Sequence, residues 1–186
     1  MLRLFGFAPH TAAVVLMLLG GSCMMAQPTD SARINDLLQQ AKERALQANR
    51  DAELIESYTR SKTSWVSHSR SLNSMKEHIN NMGKTLAELN SYKMEASPWQ
   101  QEAIRDVDPL LRSMADHLTV MINHLNDNQD KVHMPAYVDY TKANLDLSAR
   151  MLSMIEDYVD YSESKAKADD LEKKLELPTS GAGGGS

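Results

Sequence analysis

The sequence predicts an all-α protein: an antiparallel, up-down-up-down four-helix bundle with coiled-coil-like heptad seams, preceded by a signal peptide. Three observations carry this. Glycine and proline nearly vanish between residues 29 and 177, where the only glycine is Gly83 and the only prolines are Pro98, Pro109 and Pro135. β-Branched residues are sparse there, while Ala, Leu, Met, Glu, Lys and Gln abound, a composition that favours helix over strand. Apolar residues also recur in alternating steps of three and four, the spacing of one helix face, in four stretches of similar length.

Residues 1–26 precede the bundle. Arg3 supplies a positive start, Thr11 to Leu19 is free of charge, and Gly20-Gly21-Ser22-Cys23 follows. This is the layout of a bacterial-type secretory signal, and it is shorter than the roughly 20 apolar residues of a membrane span. Cleavage is expected after Ser22 or after Ala26. Cys23 is the only cysteine. Its setting, Leu19-Gly20-Gly21-Ser22-Cys23, resembles the lipobox of bacterial lipoproteins, which implies lipidation of Cys23 and contact with a membrane through that anchor alone. A freely secreted form is the alternative. With one cysteine there is no internal disulfide, so an exported domain must rest on its core.

The first helix is expected over residues 30–61, with an N-cap within Thr29-Asp30-Ser31 and a stripe of Ile34, Leu38, Ala41, Ala45, Ala48, Ala52 and Ile55. Its alanines would let a neighbour approach closely. The second, 64–94, carries the clearest seam: Trp65, His68, Leu72, Met75, Ile79, Met82, Leu86 and Leu89. The break between these two, near residue 62, contains neither glycine nor proline, and a continuous helix is the alternative there. The third helix, 98–131, starts at Ser97-Pro98, a cap residue followed by proline at the first helical position. Its stripe runs Ile104, Val107, Leu111, Met114, Leu118, Met121 and Leu125. Pro109 falls within it without shifting the phase, which predicts a kink, or else a fresh helix capped by Asp108.

The fourth helix, 135–176, starts at Pro135 and carries Tyr137, Tyr140, Asn144, Leu147, Met151, Met154, Tyr158 and Tyr161. Asn144 is a buried polar candidate that would fix register. Lys165 to Leu175 extends past the other helices, either as a solvated end or as a coiled-coil contact. At 1.5 Å per residue the first three helices span about 45–50 Å, and short connections make successive helices antiparallel. The bundle domain is thus 27–177, and the Gly-rich tail 178–186 is expected to be disordered.

Charge and motifs exclude several functions. The chain has 20 Lys+Arg against 25 Asp+Glu, and loss of Arg3 with the signal leaves a net charge of −6. An acidic, mixed-sign surface argues against nucleic acid as a partner. No glutamate is followed by histidine three residues later, so the di-iron bundle pattern is absent. Haem-attachment, His-Glu-x-x-His and phosphate-loop motifs are absent too. The sequence therefore predicts no enzyme and no cofactor.

Two readings remain. In the first, the chain is a non-enzymatic, exported cell-envelope protein. It would pack against a protein partner, or a second copy, through helix surfaces, with Tyr137, Tyr140, Tyr158 and Tyr161 as candidates. In the alternative it binds metal or a small ligand. If the second and third helices are antiparallel, His78 lies level with His117, near Met114, with His124 two turns along, a His/Met set suited to copper or zinc. His68, on the seam, is a candidate ligand or pH switch, or else a satisfied histidine at the core edge.

Overall fold

The computed structural model describes residues 30–61 and 63–175, and every regular element among them is helical. The expected signal peptide, Cys23 and the Gly-rich tail lie outside the described residues. Four long helices follow in order: α1 (Ala32–Thr59), α2 (Trp65–Ser91), α3 (Pro98–Asp127) and α4 (Pro135–Lys174). Short 3-10 turns at Lys93–Glu95 and Gln129–Lys131 join α2 to α3 and α3 to α4. Each helix packs on the next, and α4 closes on α1, so the four form a ring around one apolar core.

The helix ends have local causes. The break after α1 needs no glycine, because Ser57 and Thr59 each donate at 2.7 Å to a carbonyl three residues back, and Ser61 at 3.3 Å. Such hydroxyls compete with the helical ladder and end it. α3 stops at Asp127, short of the expected 131, because the Asn128 amide turns back onto the His124 carbonyl at 3.1 Å. α2 likewise ends at Ser91 rather than 94, where the Ser91 hydroxyl donates to the Glu88 carbonyl at 2.6 Å. α3 runs unbroken through Pro109, with Asp108 inside the helix and not at its cap. The ring of Pro109 is exposed, so the carbonyl it leaves unbonded on Arg105 is on the wet side of the helix.

The apolar stripes expected for α1, α2 and α3 are buried from Ile34 to Ile55, from His68 to Leu89 and from Ile104 to Leu125. α4 departs from expectation. Its fully buried face is Tyr137, Thr141, Asn144, Ser148, Met151, Ile155 and Val159. Tyr140, Leu147, Met154 and Tyr158 sit at the margin instead. The rotation brings small side chains against α1, where the Ser148 hydroxyl donates to Asn49 Oδ1 at 3.0 Å. Tyr140 and Tyr158 fall toward α3, onto His124 and Asp106.

One end of the bundle, where α1 and α3 begin, is clamped by Gln100. Its Oε1 accepts from the backbone N–H groups of Ser31 and Ser97, both at 3.1 Å. Its amide donates to the Ser31 carbonyl at 3.0 Å and to Asn35 at 2.7 Å. Asp30 accepts from Trp99 Nε1 at 2.8 Å and pairs with Lys165 at 3.1 Å. Burial pushes the Asp30 carboxyl up, but the neighbouring Ser97 hydroxyl, Trp99 and Lys165 outweigh it and hold the group below the ordinary aspartate value. Beyond Lys165, α4 continues alone to Lys174, leaving Leu171 56% and Leu175 63% exposed.

Candidate functional site

The tyrosines do not form one outward stripe. Tyr137 is fully buried, and its hydroxyl shares a 3.1 Å hydrogen bond with His68 Nδ1. A side chain enclosed in this way does not meet a partner in the closed bundle, so Tyr137 drops out of the expected surface. Tyr140 is half-buried, edge-on to His124 at 6.3 Å. Tyr158 donates at 2.8 Å to Asp106 of α3. Burial, followed by the hydrogen bond that the protonated phenol donates to Asp106, pushes Tyr158 up to about 12. Only Tyr161 is open, 51% exposed and edge-on to Trp99 at 5.2 Å.

The expected His/Met metal cluster is not assembled. His78 turns to α1, where its Nδ1 meets Asp51 at 2.7 Å. Ser74 also donates to Asp51, at 3.1 Å, so serine and imidazole both address the carboxylate and are not in series as a nucleophile relay. His117 lies on the opposite flank. It shares a stripe of α3 with Asp106 and His124, both of which contact α4. Met114 is fully buried in the core, and His124 stacks on the Tyr137 ring at 5.4 Å. Among the described residues, no group of three or more His, Cys, Asp or Glu side chains is placed to hold a metal ion.

Two arrangements emerge that the sequence reading did not assemble, although it named His68 of the second as a candidate pH switch. The first is a groove between α2 and α3, the loosest seam of the ring. Its hollow beside Gly83 has a volume of about 440 Å³ and continues into another of about 270 Å³. Ile79, Leu86, Leu111 and Leu118 form the floor, and Gly83, Ala87 and Ala115 leave it open. A Cβ at Gly83 would meet nothing within 4 Å. Glycine inside a helix costs about 1 kcal/mol relative to alanine, and here the contacts of the described residues give no reason for it. A lone glycine within an otherwise strong helical pattern was the available signal. The rim is polar: Asn80, Asn90, Lys76 and an Arg112–Asp108 pair at 2.7 Å.

The second arrangement is the end opposite the Gln100 clamp. His68, fully buried, lies edge-on to Tyr58 of α1 at 5.3 Å and to Tyr137 of α4 at 5.4 Å. Its Nε2 and that of His124 are buried without a hydrogen-bond partner among the described residues. Burial, helped by the nearby His133, pushes the His68 imidazole down to about 4. Reading only antiparallel neighbours hid this cluster, because α2 and α4 are parallel and diagonal.

No helix among the described residues is long and apolar enough to cross a membrane. No protein-family model, no curated protein and no solved structure matches this chain.

Proposed function

We propose that this chain is a non-enzymatic interaction module of the bacterial cell envelope, exported by its N-terminal signal and held there either through Cys23 or as a free mature protein. It acts by receiving one amphipathic helix of a partner protein in the groove between α2 and α3. The single observation that carries this reading is Gly83: the glycine is mid-helix, over an apolar floor, with nothing among the described residues opposite it.

The groove suits a helix. From Lys76 to Asn90 it follows about 21 Å of α2, or four helical turns. Small residues at its centre allow close backbone approach, and the aliphatic floor supplies the desolvation that drives such docking. Asn80, Asn90 and Arg112 offer hydrogen bonds at the rim, as expected of an interface with an apolar centre and a polar edge. Tyr158 and Tyr161 are the rival surface.

Chemical crosslinking in the envelope fraction separates the two. Gly83→Leu fills the groove and is expected to abolish the crosslinked partner band. Tyr158→Ala combined with Tyr161→Ala is expected to leave it. The reverse pattern would move the interface to the tyrosine face.

A further inference from the structure

We propose that the Tyr58–His68–Tyr137 end of the bundle is an acid-sensitive latch. Protonation of His68 expels its ring from between the two tyrosines and loosens that end, while the end clamped by Gln100 stays closed.

The geometry gives His68 nothing to balance a charge. On α1 it meets the Tyr58 ring, and Glu56, in the same last turns, is already bound to Arg60 at 2.9 Å. On α4 it meets Tyr137, whose hydroxyl is the only hydrogen-bond partner of its ring among the described residues. Behind Tyr137, α3 contributes His124, and the connection between α3 and α4 contributes His133, whose charge opposes that of His68. Among the described residues, no carboxylate pairs with the imidazole. A protonated ring would retain the Tyr137 contact through Nδ1–H, yet Nε2–H would be a buried donor on a cation with no acceptor, a costly arrangement in a core. Swinging the ring out relieves it, and doing so uncovers Tyr58 and Tyr137 together. α1 ends nearby in hydroxyl back-bonds from Ser57 and Thr59.

The opposite end behaves differently. Asp30 there is held ionised below its ordinary range by hydrogen bonds and Lys165, so mild acid leaves that clamp intact.

The two tryptophans report the two ends separately. Trp65 opens α2 beside the latch, and Trp99 belongs to the clamp. Trp99→Phe leaves Trp65 as the reporter, and Trp65→Phe leaves Trp99. As the pH falls from 7.5 to 3, Trp65 emission and anisotropy are expected to change first, with a midpoint between pH 4 and 6.5. Trp99 is expected to follow only at lower pH. In His68→Gln, which keeps a side chain able to bond Tyr137 but does not titrate, the early Trp65 transition is expected to vanish. One coincident transition at both tryptophans overturns the proposal, as does an early Trp65 transition that survives in His68→Gln. If that variant does not fold, the imidazole NMR signal of His68 in the wild-type chain decides. It must titrate with the Trp65 transition, and a different midpoint overturns the latch.

Discussion

His68 and Tyr137 stand 69 residues apart and meet at 3.1 Å across the diagonal of the ring. The same offset recurs along these two parallel helices, where the Asn144 amide reaches Met75 Sδ at 3.0 Å, again 69 residues away. It recurs a third time on the other diagonal, in the Trp99–Asp30 and Ser31–Gln100 bonds. Each diagonal pair is thus tied by polar side chains near one end, and the apolar stripes fill the space between. Apolar packing tolerates sliding, whereas these hydrogen bonds are lost by a slip of one turn, so they fix the register.

Stability is expected to fall with acid before the carboxylates titrate. The folded-state value of about 4 for His68 lies below the ordinary 6.5. The unfolded chain therefore binds more protons between these values. The stabilisation is complete above pH 6.5 and is lost as the pH falls toward 4, by roughly 3 kcal/mol. Urea midpoints measured at pH 7.5 and pH 5 check this. A lower midpoint at pH 5 in the wild type, with a smaller change in His68→Gln, is the expected result.

Gln100→Ala should be among the most damaging single changes. It strips acceptors and donors from Ser31, Ser97 and Asn35 at once, inside a fully enclosed site. Orphaned buried polar groups cost about 1–3 kcal/mol each. A loss of about 3 kcal/mol, read from denaturant unfolding with the slope unchanged, is expected.

Asn144→Leu should go the other way. Asn144 is buried, its Oδ1 has no hydrogen-bond partner among the described residues, and its amide reaches only a thioether, a weak acceptor. Replacing it with an apolar side chain of similar size is expected to be neutral or to stabilise by up to about 1 kcal/mol. Thermal unfolding of the variant beside the wild type measures it.

Gly83→Ala is expected to stabilise the isolated chain by about 0.5–1 kcal/mol, since the added methyl meets open space and the helix gains propensity. If the groove receives a partner helix, the same methyl should weaken capture. A glycine kept at the expense of stability would then have its explanation in binding. The comparison needs only a melting curve and a crosslinking titration of the same sample.

The number, order and approximate ends of the helices were legible because periodicity and composition agree over long stretches. So were the buried faces of α1 to α3, marked by an alanine-rich stripe in α1 and by larger apolar residues in α2 and α3, although Trp65 at the start of the α2 seam is 38% exposed. The inward face of α4 was not. Its apolar arc is wide, and its true core positions include Thr141 and Ser148, which apolar spacing passes over. The partners of the histidines were hidden for another reason. The expected pairing of His78 with His117 used only the antiparallel register, yet the side a residue takes within its level decides its contacts. His78 sits on the α1 flank of α2, and His117 on the α4 flank of α3. Gly83 was visible from the start, but its meaning lay in what faces it, which only the packed structure reveals.

The most direct measurement is site-specific photo-crosslinking in living cells, with the crosslinker placed at Ala87 in the groove or at Lys142 on the exposed outer surface of α4. The account predicts a discrete adduct from Ala87, mapping to one amphipathic helix of one partner, absent from Lys142 and lost when Gly83→Leu is added. Equal labelling from both positions, or an Ala87 adduct unaffected by filling the groove, would contradict it.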